Sequence, residues 1–314
     1  MSPNFRLSFN IKPSEFKIAY GDPVGFLGSC FSDEMHLKAR FYGFNSFSNP
    51  FGTVFHPLAM SRFVQETLVE NTEERILQRN DLFFSEDAGS KLFSFRSDEL
   101  FSNLKQVREE WRDQIASAKC LFITFGTAWG YRSATTGKIV ANCHKLPGSH
   151  FTKELSSIHE IVSEWGSVIE QLKKFAPELR IVFTVSPVRH VRDGLVENSR
   201  SKAILIEAVR LLNEQRGTSY FPSYEIVIDE LRDHQFFKED RVHPSDEAVS
   251  YVWDRFIQTF CVEETVTIMQ EVKRLRHSAQ HVSLFEGSEE DLKHKASLSE
   301  SERLFKVKHP EVRL

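Results

Sequence analysis

The stretch Val24-Gly25-Phe26-Leu27-Gly28-Ser29-Cys30-Phe31-Ser32-Asp33-Glu34 passes from a short apolar run, through a glycine, into a polar and acidic opening. Val24-Gly25-Phe26-Leu27 reads as a buried strand that ends at Gly28. A helix is expected to start within about three residues and to run over residues 32–42. Ser29 then sits on a strand-to-helix turn, where its hydroxyl projects above the C-terminal edge of a sheet. Backbone N–H groups there, aided by the positive end of the helix, can face a developing oxyanion. Gly-Ser ahead of a helix is also an ordinary N-cap, so this pair alone does not decide the chemistry.

Outward from that stretch, the same texture returns. Cys120-Leu121-Phe122-Ile123-Thr124-Phe125 ends at Gly126, and Arg180-Ile181-Val182-Phe183-Thr184-Val185 is stopped by Ser186-Pro187. Tyr224-Glu225-Ile226-Val227-Ile228 is read as the last strand. Residues 155–175 and 201–212 have helical spacing between them. Strand alternating with helix predicts an α/β layer fold with a mostly parallel sheet. Residues 71–98 interrupt the rhythm with two aromatic runs around Glu86-Asp87-Ala88-Gly89-Ser90, and predict a hairpin insertion. Residues 126–151 form a polar segment directly after a strand, where α/β proteins place functional loops. Residues 1–261 are expected to form the main domain, and 262–314 an appended helical arm with a partly mobile tail. The arm is a candidate homo-oligomer contact, although no heptad runs far enough to argue a coiled coil.

Composition narrows the function classes. The 314 residues carry 40 Lys+Arg against 44 Asp+Glu, a net charge of -4, which argues against a chain built to grip nucleic acid by its phosphates. Its 28 Phe predict a Phe-rich core rather than an apolar binding surface. Cys30, Cys120, Cys143 and Cys261 have no CxxC spacing, and buried reduced thiols are expected. Met1-Ser2-Pro3-Asn4-Phe5-Arg6 lacks the pattern of a signal peptide, and no run approaches the roughly 20 apolar residues of a membrane span. A cytoplasmic address is the expectation. Phosphate-loop and dinucleotide glycine motifs are absent, so no cofactor is expected.

A second motif lies near the end of the main domain, in Asp240-Arg241-Val242-His243-Pro244-Ser245-Asp246-Glu247. Ser245 is the expected N-cap of a helix whose apolar stripe is Val249, Val252, Trp253, Phe256, Ile257 and Phe260. His243 stands just ahead of it. Asp240 can accept the imidazole Nδ1–H, which leaves Nε2 free as a general base. Asp-x-x-His is equally compatible with a loop salt bridge or half a metal site.

A serine at the first strand-helix turn and Asp-x-x-His before the final core helix follow the ordering of the SGNH (GDSL-like) hydrolases. Gly28-Ser29-Cys30-Phe31-Ser32 resembles the pentapeptide of the GSCFA family, a branch of that superfamily, with Ser32 in place of Ala. Asn49-Pro50-Phe51-Gly52-Thr53, Phe125-Gly126-Thr127-Ala128-Trp129, Ala141-Asn142-Cys143-His144-Lys145 and Ser186-Pro187-Val188-Arg189-His190 resemble it as well. The resemblance implies a three-layer α/β/α fold, with Ser29 as nucleophile, His243 as general base and acid, and Asp240 as its orienting partner. The wider superfamily implies an acyl ester, of a small molecule or a carbohydrate, as the substrate. Gly52 is the match to an oxyanion-hole glycine. The superfamily's Gly-x-Asn-Asp block is missing: Ala128 has no side-chain donor, and Asn142 or backbone N–H groups must substitute. One absent donor costs about 3–4 kcal/mol of transition-state stabilisation. His144 and Lys145 are candidate substrate contacts beside Asn142, and Arg189-His190 is a candidate rim.

Three other readings compete with the serine hydrolase or acyltransferase. Cys30, at a helix N-terminus, could be the nucleophile with a depressed thiol pKa, although it is expected to point away from Ser29. The scaffold could bind a ligand or partner without catalysis, as the missing asparagine suggests. Cys143, His144, His234, Asp240 and His243 could ligate a metal, but none has a recognised zinc spacing.

Overall fold

The computed structural model describes residues 7–69, 74–280 and 284–314. Residues 1–6, read above for a leader, and the first three of the 71–98 insertion lie outside the described residues. The chain begins β1 (Val24–Gly28), α1 (Cys30–Phe41), β2 (Ser46–Ser48) and α2 (Pro57–Leu68). The insertion follows as β3 (Leu77–Arg79), β4 (Leu82–Phe84) and β5 (Phe93–Ser94), then α3 (Ser97–Ser117) and β6 (Cys120–Phe125). Next come β7 (Trp129–Ser133), β8 (Phe151–Leu155), α4 (Ile158–Phe175), β9 (Arg180–Val185) and α5 (Leu195–Arg216). The chain closes with β10 (Ser219–Tyr220), α6 (Ser223–Glu225), α7 (Asp246–Phe260), α8 (Glu263–Ala279) and α9 (Glu289–Lys308).

Five strands make one parallel sheet in the order β2-β1-β6-β9-β10, with Gly28 opposite Thr124 and Phe125 opposite Val185. Parallel neighbours need crossovers, and here helices cover both faces of the sheet. Leu121, Ile123 and Phe125 of β6 enter a core with Met60, Trp111, Trp165 and Leu205 of α2, α3, α4 and α5. Cys120 and Phe122 alternate into a second core with Met35, Phe256 and Val272 of α1, α7 and α8. The result is the expected α/β/α sandwich, and the Phe-rich composition resolves into these cores. After β1 the chain adds β2 on one side, then crosses to β6 on the other. The crevice between the C-terminal ends of β1 and β6 is therefore the switch point where such sheets receive ligands.

Several boundaries differ from expectation. Tyr224-Glu225-Ile226-Val227-Ile228 is not a strand: it lies in α6 and the π-helical turn Ile226–Leu231 that continues it. Buried Ile226, Val227, Glu230 and Leu231 recur at helical spacing, and a short β-branched run does not distinguish the two states by itself. The fifth strand is instead Ser219–Tyr220. Ser29 caps α1, which starts at Cys30 rather than near residue 32. Leu155 belongs to β8, and a Ser157–Glu160 capping box opens α4. Residues 126–151 are not a plain loop, since β7 and β8 pair antiparallel. The insertion is a three-stranded antiparallel sheet, one strand more than a hairpin.

In the C-terminal arm, α8 buries Ile268, Met269 and Val272 in the second core and α9 adds Phe305. The last residues return to the α1–β2 turn, where Arg313 N–H donates to Gly43 O at 2.8 Å. All four cysteines are free thiols; Cys120 and Cys261 are buried, whereas Cys30 and Cys143 are half-buried. No helix among the described residues is long and apolar enough to cross a membrane.

Gly28 holds the end of β1 with φ +125°, and a Cβ there would fall 2.2 Å from Thr124 O. Positive φ and a backbone collision act together, so Gly28→Ala is expected to lose about 3 kcal/mol of stability. A urea titration checks this; an unchanged midpoint would refute so close an approach of β1 to β6.

Candidate active site

Ser29 stands at the switch crevice. Its extended backbone (φ -66°, ψ 168°) makes it the N-cap of α1, and its Oγ accepts Phe31 N–H at 3.3 Å. Its own N–H donates to Thr124 O at 3.2 Å. The residue is fully buried, out of reach of solvent in this conformation. Ser32, the departure from the family pentapeptide, is buried with its Oγ 3.0 Å from Leu27 O and 2.8 Å from Thr124 Oγ1. It fastens the start of α1 to β1 and β6.

The loop after β2 wraps this turn. Asn49, held at φ +34°, accepts Gly28 N–H on Oδ1 at 2.7 Å and donates its amide to Asp33 at 2.8 Å. Thr53 Oγ1 donates to the other Asp33 oxygen at 3.0 Å. Val54 N–H then reaches back to Gly28 O at 3.1 Å. Gly52, the expected oxyanion-hole glycine, closes the turn: its N–H donates to Asn49 O at 2.8 Å, and its Cα side faces Gly89 of the insertion.

Asp240 and His243 come together as expected. Imidazole Nδ1 lies 2.6 Å from Asp240 Oδ2, while Oδ1 accepts Val242 N–H at 2.8 Å and His243 N–H at 3.0 Å. The backbone N–H of His243, its imidazole and Val242 N–H hold the Asp240 carboxyl well below its ordinary value. The carboxylate stays ionised and accepts the Nδ1 proton, which in the neutral imidazole leaves the lone pair on Nε2. Arg241 is bent into positive φ (58°), and Lys238 N–H donates to His243 O at 2.7 Å, which closes the loop. Lys238 Nζ also lies 3.2 Å from Glu34 of α1, the helix that Ser29 caps. No hydrogen bond joins Ser29 to His243.

Asn142 and His144 belong to a different assembly. Asn142 Oδ1 accepts His144 N–H at 2.7 Å. His144 Nε2 lies 2.7 Å from Ser85 O and 3.2 Å from Ala88 O, with its ring stacked on Phe84 at 4.3 Å. Both residues therefore tie the β7–β8 segment to the insertion. Cys30 packs beside the second core, and its thiol is pushed up to about 11 by burial, then by Asp33 and Glu34. That is the opposite of the depressed pKa a cysteine nucleophile requires. No group of three His, Cys, Asp or Glu side chains that could hold a metal ion occurs among the described residues. A cleft of about 940 Å3 lies elsewhere, beside the starts of β9 and β10 near Lys12, Arg180 and Thr218.

Apart from His190, read above as a candidate rim residue, several polar residues around the crevice escape motif reading. His56 caps α2: Nδ1 accepts Leu58 N–H at 3.1 Å, so Nε2 carries the proton and donates to Ala128 O at 3.1 Å. Full burial lowers it to about 4. His190 meets Phe55 edge-on at 5.6 Å, and burial followed by the Lys202 charge lowers it to about 4 as well. Asn198, Ser201 and Lys202 are buried polar residues of α5. They continue the phase of the apolar stripe Leu205, Ala208, Val209 and Leu212, the one signal that could have marked them.

Comparison with known proteins places these motifs. The model of the GSCFA family matches residues 23–256. No curated protein matches the chain. Among solved structures, the chain is similar to a protein described as a putative GDSL-like lipase from Parabacteroides merdae ATCC 43184, with 12% identity and a TM-score of 0.39 over 78% of this chain and 98% of that one. It is also similar to an acetyl xylan esterase from the rumen bacterium Butyrivibrio proteoclasticus, with 11% identity and a TM-score of 0.40 over 83% of this chain and 65% of that one.

His56 and His190 set an acid limit on the fold. Both are bases whose folded values, about 4, lie below the ordinary 6.5. Between those values the unfolded chain takes up protons that the folded chain refuses, so stability is full above pH 6.5 and falls toward pH 4. His56 alone accounts for up to about 3 kcal/mol of that loss. His56→Asn, which keeps a helix cap, is expected to flatten the acid limb in urea titrations; an identical limb would mean that His56 titrates normally.

Proposed function

The chain belongs to the GSCFA family, and we propose that it is a serine-dependent hydrolase or acyltransferase acting on an acyl ester. The observation that carries the reading is the Asp240–His243 pair, bound at 2.6 Å on a loop docked to the helix whose N-cap is Ser29. An ionised aspartate that orients an imidazole with a free Nε2 is a prepared general base, and Ser29 stands at the switch-point crevice. In this mechanism His243 takes the Ser29 proton as Oγ attacks the ester carbonyl. The imidazolium then protonates the departing alcohol, leaving an acyl-Ser29 ester. Water or an acceptor hydroxyl attacks that ester with His243 again as base, and Ser29 is restored.

Two features shape the chemistry. With Gly52 N–H engaged and Asn142 held on the insertion side, this reading assigns the oxyanion to the N–H groups of Ser29 and Cys30 at the positive end of α1. Ser29 N–H is held by a long 3.2 Å bond to Thr124 O. The second feature is the complete burial of Ser29, which requires the surrounding loops to open before an ester can reach Oγ. That burial is also what favours the second reading, a scaffold that binds a ligand or partner without turning it over.

Labelling with a fluorophosphonate probe, followed by peptide mass spectrometry, separates the two. Modification is expected on Ser29, absent in Ser29→Ala and at least ~10²-fold slower in His243→Ala. Well-folded protein that takes no label, or a label that survives Ser29→Ala, would leave the binding scaffold as the function.

A further inference from the structure

Lys202 is an unusual residue to find inside a protein. It is 1% exposed, no carboxylate pairs with it among the described residues, and its Nζ donates to Gly126 O at 2.7 Å and Ser186 O at 2.6 Å. Those carbonyls begin the segments that leave β6 and β9 at the candidate site. Its neighbours on α5 grip the same two segments. Ser201 Oγ accepts Ala128 N–H at 2.7 Å and lies 3.1 Å from Thr127 Oγ1. Asn198 Oδ1 accepts His190 N–H at 2.9 Å. Positions 198, 201 and 202 lie on one helix face, so the first turns of α5 form a buried polar clamp and the remainder an apolar face.

From this clamp, hydrogen bonds and short lengths of backbone lead to both sides of the site. Gly126 N–H and Thr127 N–H donate to Phe55 O at 2.9 and 3.1 Å, and the preceding Val54 N–H holds Gly28 O beside Ser29. On the other side, Ser186 is followed by Arg189, whose N–H donates to Val242 O at 3.2 Å, next to His243. We propose that Asn198, Ser201 and above all Lys202 are positioning residues that fix the spacing between the Ser29 side and the His243 side of the site.

The energetics favour a role that a neutral aliphatic side chain would not fill. Burying a lysine without a counter-charge is costly, and a residue that served packing alone would be better replaced by methionine. The groups facing Nζ are the Cys30 thiol from α1, the Tyr224 ring from α6 at 5.9 Å and His190 from the exit of β9. Burial lowers Lys202 to about 7.

The purpose of the spacing rests on the serine-hydrolase reading; the clamp itself does not. The test therefore reads both, on the full chain with Lys202→Met. Hydrogen exchange by mass spectrometry is expected to quicken in peptides covering 52–56, 124–130, 185–190 and 238–244 while the peptides of β1 and α4 keep their protection. Fluorophosphonate labelling of Ser29 is expected to show a maximal rate constant lowered by ~10²-fold at an unchanged half-saturating probe concentration, as misplacement rather than lost binding predicts. Uniformly faster exchange, exchange confined to α5, or an unchanged maximal rate in a wild type that labels would overturn the proposal. If the wild type itself takes no label, the serine reading fails and the exchange pattern still judges the clamp. Should Lys202→Met not fold, Ser201→Ala provides the same comparison, and no selective change at 124–130 in that variant would overturn the proposal.

Discussion

Everything at the candidate site depends on how closely the end of β1 approaches β6. Gly28 occupies a backbone conformation and a space that no side chain fits. Three hydrogen bonds meet on the two peptide units there. Asn49 Oδ1 takes Gly28 N–H, Val54 N–H reaches Gly28 O, and Ser29 N–H reaches Thr124 O. Asn49 also donates to Asp33, so the strand end, the start of α1 and the loop after β2 are fixed as one piece. Such over-determination is what keeps a strained turn in place. It also explains why Asn49 tolerates positive φ, since its side chain supplies local hydrogen bonds that few other residues could make.

The two halves of the candidate site differ in character. The Asp240–His243 pair is preformed and half-exposed, with the aspartate satisfied by backbone as well as imidazole. Ser29 is fully enclosed and its hydroxyl oxygen serves as a helix cap, an interaction worth about 1 kcal/mol. Losing the cap is a small cost beside the opening of the loops that burial requires, so capping alone does not bar the nucleophile role. Cys30, one residue on, is governed by a different balance. The helix dipole that should lower its thiol is outweighed by burial and by the nearby carboxylates Asp33 and Glu34 of its own helix.

Much of the fold was legible because parallel strands are buried on both faces and leave unbroken apolar runs; β1, β6 and β9 are all of this kind. The error at Tyr224-Glu225-Ile226-Val227-Ile228 has the same origin, since five residues cannot show which period they follow. The Asp240–His243 pair was legible because both partners sit on one short loop. What stayed hidden is assembled across the chain. Gly52 and Asn142 were matched by motif, yet their hydrogen bonds are to Asn49 and to His144. The clamp on α5 was hidden because the expected helix began at residue 201, short of Asn198, and because Asn198, Ser201 and Lys202 are polar residues in the phase of an apolar stripe. Only the positions of Gly126 and Ser186 relative to that helix reveal what they bind.

The second core draws on both ends of the sequence. Ile18 N–H bonds Phe260 O and Ser14 N–H bonds Thr259 O, while Val312 and Arg313 close over Gly43. The other core needs nothing beyond Leu212 among its buried members. During synthesis, then, the α2–α5 face can assemble while the α1 face still waits for α7, α8 and residue 312 to leave the ribosome. Until that moment Phe26, Phe31 and Phe122 have no complete layer above them, and the growing chain exposes an aromatic surface.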